Sequence, residues 1–387
     1  MRLDVVTRSL ALAIFGASLT VPAQAEIVIG AVNSLTGPIA AIGTNNERGI
    51  RAGVAFTGTI AGETVRVIYF DDASDAANAS KLARKLIEED HVDVLIGTAG
   101  APSTSAMVSV ATELKVPMVA ISPILSVPKN DGLPWAVTMI QTPSDMVGAV
   151  VDHIAKTGSK TVGYIGFNDG YGDLVYNSAI AAAARDGLTF TSNERYARAD
   201  TSVTGQVLKV LSTKPDAILT GGSGSGGALP YVALAERGYK GAIYGNAGTI
   251  SPDLLRIAGK SAEGTVACTG PITVVAQLPD GHPNKKIGLD FKDIYLKTNG
   301  IPVADGFSAY GFDGWLVLAD SAKRALATGA KPGTPEFRAA IRAAMYTTKD
   351  LVGTQGTYTW TPASHFGTDL RSVVLVKLEN GEWKLMN

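Results

Sequence analysis

The sequence predicts an α/β protein of two doubly wound parallel-sheet lobes, on three observations. Short apolar strands alternate with amphipathic helices, the pattern of a parallel sheet covered by helices on both faces. That rhythm stops near residues 141–144 and begins again, giving two units. A largely helical tail from Pro271 must then pack back on one of them, so the chain passes between the lobes more than once. Three passages would make a hinge rather than a flexible linker. The expected division is 26–142 with 273–352 in lobe 1, and 143–272 with 353–387 in lobe 2. A chain of 387 residues is too long for one small core and long enough for two.

In the first unit, strands are expected at 27–31, 65–70, 92–96 and 117–121, with helices at 45–56, 80–89 and 103–114. Leu82, Leu86 and Ile87 share one face of the second helix, with charges opposite. In the second unit, helices at 145–156, 174–185, 203–211 and 229–237 alternate with strands at 161–165, 189–196, 217–220, 242–245 and 264–268. The tail adds helices at 286–298, 307–327 and 335–345, then strand-like segments at 356–360, 372–378 and 382–385. Glu379-Asn380-Gly381 marks a hairpin turn between the last two.

Residues 1–25 have the form of a secretory leader. Arg2 and Arg8 precede an apolar run from Leu10 to Val21, and Ala23-Gln24-Ala25 is a small-residue cleavage site. The run is short for a bilayer span. Cleavage after Ala25 would place the mature chain outside the cytoplasm, with Glu26 first. Removing Arg2, Arg8 and Asp4 takes Lys+Arg from 34 to 32 and Asp+Glu from 35 to 34, so the net charge goes from −1 to −2. That balance argues against a nucleic-acid partner, which requires a basic face. Cys268 is the single cysteine, so no intramolecular disulfide forms; it reads as a buried thiol in a strand.

In open α/β sheets ligands bind beyond the carboxyl ends of the strands. After the third strand comes 97–105, rich in Gly, Ala, Ser and Thr and leading into a helix. Free N–H groups there would cradle an anion, although Ser103 could equally serve as a cap for its own helix. Ser122, Leu125 and Ser126 follow the next strand, and Tyr171 follows the first strand of the second unit. Gly222 to Gly227 spells G-x-G-x-x-G. A dinucleotide site needs an acid at the end of the next strand, and there the chain reads Gly245-Asn246-Ala247. Flexible backbone near a small ligand is the better reading. No catalytic set can be assembled: there is no nucleophile elbow, and His91, His153, His282 and His365 each stand apart from metal-ligand spacings. Asp71-Asp72 ends a strand and suggests turn or cap duty over a metal. No cofactor is implied.

At these loops the sequence resembles the periplasmic leucine/isoleucine/valine-binding proteins of ABC transporters. Leu35-Thr36-Gly37-Pro38, the segment from Tyr69 to Asp75, Ile96-Gly97 with Ser103-Thr104, Ile121-Ser122-Pro123 and Tyr171-Gly172 carry the resemblance, with Pro332 to Phe337 and Leu351 to Gly356 in the tail. It implies a type I periplasmic binding fold, hinged by three crossovers, that closes on one small ligand and delivers it to an ABC permease in the inner membrane. Such a receptor is not an enzyme and is expected to be monomeric. The implied ligand-binding set is Ile42, Ala101, Pro102, Ser103, Thr104, Ser122, Leu125, Ser126, Gln141, Tyr171, Ser223, Gly224, Asn246 and Ala247. The departures matter. Ala247 stands where amino-acid binders place an acid for the ligand ammonium, Gly222 to Gly227 replaces a loop bearing an aromatic, Ala101 replaces a serine, and Ile42 replaces a Trp. These changes favour a non-amino carboxylate of benzoate type. A branched-chain or other hydrophobic amino acid is the alternative, with Glu236 or Asp253 as substitute acids. A ligand-sensing domain would use the same closing lobes, and an exported hydrolase would need the nucleophile that is missing.

Overall fold

The computed structural model describes residues 26–128, 132–303 and 305–386; the expected leader lies outside the described residues. The first lobe opens with β1 (Ile27–Asn33), α1 (Ala40–Thr57), β2 (Val65–Asp71), α2 (Ala76–Glu88), β3 (Val94–Gly97), α3 (Ala101–Glu113), β4 (Met118–Ala120) and β5 (Ala136–Thr138). The five strands are all parallel, in the order β2-β1-β3-β4-β5. The order reverses beside β1 and β3, which opens a crevice at their carboxyl ends.

The second lobe holds α4 (Pro143–Lys156), β6 (Thr161–Phe167), α5 (Gly170–Asp186), β7 (Thr189–Tyr196), α6 (Thr204–Ser212), β8 (Ala217–Gly221), α7 (Gly224–Gly227), α8 (Leu229–Glu236), β9 (Ala242–Gly245), α9 (Pro252–Ala258) and β10 (Val266–Thr269). The chain then returns to the first lobe through α10 (Pro283–Asn299), α11 (Phe307–Ala327), α12 (Pro335–Met345), β11 (Leu351–Val352) and β12 (Thr357–Tyr358). It ends in the second lobe with β13 (Val374–Glu379) and β14 (Glu382–Leu385). The second sheet has the order β14-β13-β10-β9-β8-β6-β7. Its strands β7 to β10 with β6 are parallel, while β13 and β14 add an antiparallel edge. Asn380 and Gly381, both at positive φ, close the last hairpin, as its Asn-Gly turn requires.

Local chemistry explains the helix starts. Asp75, Thr142, Asp169, His282 and Thr334 each accept a hydrogen bond from the first turn of the helix they precede. Apolar cores cover both faces of each sheet. One face of the first sheet packs Ile29, Ile96 and Val119 against Trp315 and Phe337, and the other packs Leu86, Leu95 and Met107. Helices α1 and α11 touch backbone to backbone: a Cβ on Gly49 would lie 1.7 Å from the Ser308 carbonyl oxygen. A further cluster, in which Ala52, Phe291 and Phe312 meet Ala267 and Val376, joins the lobes.

Three crossings converge on Gln141. Its Nε2 donates to the Gln355 and Ser372 carbonyls, each at 2.9 Å, and its Oε1 accepts from Tyr310 Oη at 2.6 Å. Gly270, on the second crossing, packs so closely that a Cβ would lie 1.9 Å from Gln355 Oε1. The third crossing comes later than the expected boundary at 353. Tyr358 and Trp360 sit in the first-lobe core with Val137 and Met139, and Phe366 bridges to Thr138. These are large aromatics beside β5, and their burial holds the chain on the first lobe until it reaches Leu370 to Ser372.

Candidate functional site

Between the lobes lies a cleft whose empty space is about 770 Å³ when open solvent at its mouth is counted. It sits at the carboxyl ends of β3, β4, β6, β7, β8, β9 and β10. The first lobe contributes Ile42, Ala99 to Ala101, Ile121 to Pro123, Phe307 and Tyr310; the second contributes Met146, Tyr171, Arg198, Ser223, Asn246 to Gly248 and Cys268. The lobes touch beside it. Leu125 lies against Gly170, where a Cβ would approach it to 2.5 Å, and Gly224 faces Pro38 and Ile39.

The first-lobe wall is built from the start of α3. Its cap position, Gly100, is extended and no side chain caps the helix. Thr104 N donates to the Gly100 carbonyl at 2.8 Å. Pro102 has no N–H, so Ala101 and Ser103 carry the unclaimed donors that begin any helix. Ser122 borders them after β4. The expectation that Ser103 caps its own helix is therefore not met.

The second-lobe wall is a hydrogen-bonded set of side chains. Tyr171 Oη donates to Asn246 Oδ1 at 2.6 Å, and the same oxygen accepts from Gly248 N at 2.7 Å. Asn246 Nδ2 donates to the Thr220 and Gly222 carbonyls at 2.9 and 3.0 Å. Burial pushes the Tyr171 phenol well above its ordinary range and the Cys268 thiol up to about 12. Arg198 is the one charged side chain among the described residues lining the cleft. Its guanidinium lies 4.3 Å from the Phe167 ring centroid, Nε donates to Asp169 Oδ2 at 2.5 Å, and Nη1 donates to Ser223 Oγ at 3.2 Å.

Of the residues singled out in the sequence, Ile42, Ala101, Ser122, Gln141, Tyr171, Ser223, Asn246 and Ala247 line the cleft. Pro102, Ser103, Thr104, Leu125, Ser126 and Gly224 do not. Ser103 and Thr104 are buried in the first turn of α3, Thr104 Oγ1 turning to the Thr98 carbonyl at 3.4 Å. Leu125 and Gly224 make the contacts between lobes, and Ser126 is exposed. The substitute acids are elsewhere: Glu236 is exposed, and Asp253 binds Arg256 and Ser225. Arg198, Phe307 and Tyr310 were not expected. Arg198 follows β7, whose bounds the sequence shows, so the rule of carboxyl-end loops would have found it. Phe307 and Tyr310 lie in the tail and carry no such signal.

Asp71 and Asp72 brace loops. Asp71 accepts from Leu35 N, Thr36 N, Thr36 Oγ1 and Ala73 N, and Asp72 accepts from Ser74 N and Thr98 Oγ1. Burial opposes ionisation of Asp71, but these hydrogen bonds outweigh it and hold the carboxyl below its ordinary value. Among the described residues no cluster of three or more His, Cys, Asp or Glu could hold a metal, and no helix is long and apolar enough to cross a membrane.

The family model "Periplasmic binding protein" matches residues 26–382. The chain belongs to this family. An extracellular ligand-binding receptor from Rhodopseudomonas palustris HaA2 superposes with a TM-score of 0.87 at 40% identity, over 94% of this chain and 100% of that one. A Leu/Ile/Val-binding protein homolog 3 of Brucella melitensis is 24% identical over 344 residues, 87% of this chain and 88% of its own length. A solute-binding protein of an ABC transporter from R. palustris, solved with benzoate, shares the fold at 21% identity and a TM-score of 0.79, over 94% and 96% of the two chains. The type I periplasmic binding fold with parallel-sheet lobes, expected from the sequence, is thus the fold of this chain.

Proposed function

We propose that this periplasmic binding protein is the receptor of an ABC importer for a small organic acid without an α-amino group, of the benzoate type. The observation that carries this reading is the state of the acceptors in the cleft. An ammonium needs acceptors, and those beside Ala247 are already occupied. Asn246 Oδ1 takes two hydrogen bonds, and among the described residues no carboxylate lines the cleft. A buried ammonium left without a partner costs several kcal/mol. A carboxylate instead meets donors on the cleft lining, the Ala101 N–H group and the Ser122 hydroxyl. Ile42, Ile121, Met146, Phe307 and Tyr171 supply apolar surface for the body of the acid. The ligand docks on the first lobe, and the second closes across it by population shift. Export after cleavage at Ala25 belongs to the same reading.

A thermal-shift panel on refolded Glu26 to Asn387 tests it, setting leucine, isoleucine, valine and phenylalanine against benzoate, hydroxybenzoates, phenylacetate and short aliphatic acids. At about 100 times Kd, a ligand stabilises by about 2.7 kcal/mol. Shifts with the deaminated acids alone are expected. A shift with leucine or valine would overturn the reading.

A further inference from the structure

We infer that Arg198 is a specificity-determining residue of this cleft: the second lobe uses it to read the negative charge of the acid, so that charge, and not shape alone, draws the lobes together. The inference rests on the organic-acid reading above and adds the group that enforces it. A guanidinium has five N–H donors in a rigid fork. Only Nε and one Nη1 hydrogen are engaged, by Asp169 Oδ2 and Ser223 Oγ; Nη2 has no hydrogen-bond partner among the described residues. The side chain is 20% exposed, and it lines the cleft rather than the outer surface. Donors left open in a largely apolar cleft favour an anionic acceptor.

Its mounting supports the role. The Phe167 face fixes the plane of the guanidinium, and Asp169 is itself fixed, its other oxygen accepting from Tyr171 N and Gly172 N at the start of α5. Asp169 therefore orients Arg198 and partly neutralises it. Ser223, the third member, follows β8, so loops after β6, β7 and β8 converge on one cation. Gly224, the next residue, lies against Pro38 and Ile39 of the first lobe, which places this group at the line where the lobes meet. An α-ammonium brought to the same place would face a cation, which gives this cleft a repulsive element against amino acids as well as an attractive one toward acids.

The test is calorimetric titration of the mature chain with benzoate, phenylacetate and 4-hydroxybenzoate, each beside its uncharged amide. For wild type, at least one acid should bind and its amide should bind at least 30-fold more weakly. Arg198→Gln should remove most of that preference, lowering acid affinity at least 30-fold and leaving amide affinity within threefold. A purely structural Arg198 predicts equal losses for the acid and its amide. Acid binding that survives Arg198→Gln within threefold, or amide affinity that falls in step with it, would overturn the role of Arg198 and leave the organic-acid reading intact. Wild type that binds leucine and none of the acids would overturn both.

Discussion

The first-lobe wall of the cleft sets the small residues of two loops, Ala99, Gly100, Ala101, Ser122 and Pro123, beside apolar side chains such as Ile42, Ile121 and Phe307. The second-lobe wall is made of longer side chains, Tyr171, Arg198 and Asn246, bonded to one another and to the loops behind them. In the first wall, Thr98 is tied to Asp72 and Leu125 to Ser105, and the closely packed α1 and α11 carry Ile42, Phe307 and Tyr310. The second is held by hydrogen bonds. Donors fixed by a helix start suit any carboxylate, whereas interlocked side chains can be exchanged to suit one ligand body. On the proposed reading both lobes meet the acid, the first through N–H groups at the start of α3 and the second through Arg198.

Asn246→Ala is the largest expected break in this comparison. It deletes four hydrogen bonds and strands the Thr220 and Gly222 carbonyls and the Tyr171 hydroxyl. Unsatisfied buried groups cost about 1–3 kcal/mol each, and with partial relaxation we expect a loss of about 3 kcal/mol in urea unfolding. Acid affinity should fall as well, because Tyr171 and Gly248 lose their common anchor. Unfolding free energy within 1 kcal/mol of wild type would mean that the second wall does not depend on its network.

Gly311→Ala probes the first wall, and a smaller effect is expected. A Cβ there would lie 2.2 Å from the Asn46 carbonyl oxygen, so α11 must move away from α1. Overpacking of this kind costs about 1–3 kcal/mol. Ile42 rides on α1, and Phe307 and Tyr310 ride on α11, so ligand affinity should fall although no lining residue is changed. Titration of the folded variant checks this, and unaltered affinity would show that the wall is not set by helix contact.

The same contrast explains what the sequence makes legible. Long periodic elements are plain: α11, α12 and β7 occupy the residues their patterns indicate, as do the short strands β9 and β14. β5 is three residues behind Pro134 and carries no period, and α7 is a single turn of Gly and Ser, which read as loop because glycine is a poor helix former. In the site, loops that follow strands directly are legible, hence Ala101, Ser122, Tyr171 and Asn246. What a side chain does once there is not. Gln141 fastens the hinge, Leu125 and Gly224 carry lobe contact, and Ser103 is buried in the first turn of α3. The place of Arg198 after β7 is legible by the same rule, but its partners Asp169 and Ser223 are not, since only the packing of β6, β7 and β8 brings them to it.

The last prediction is of no change, and it separates the two walls by chemistry. Two ionisable groups of the cleft are the Cys268 thiol and the Tyr171 phenol, and burial raises both. The sign follows from the direction. In the unfolded chain the thiol ionises near its ordinary 9.0, and in the folded chain near about 12, so its contribution to stability is whole below 9.0 and is lost as pH rises beyond that. Neither group therefore changes charge between about pH 6 and about pH 9, where a simple carboxylic acid is also fully ionised. Affinity for an organic acid should stay level across that window in calorimetric titrations at constant ionic strength. A ligand held through an ammonium would behave differently, weakening toward the alkaline end as the amine loses its proton. A level profile for benzoate beside a falling one for leucine would show donors reading the ligand from both walls. A falling profile for the acid would mean that a titrating group, rather than backbone N–H and fixed charge, supplies its grip.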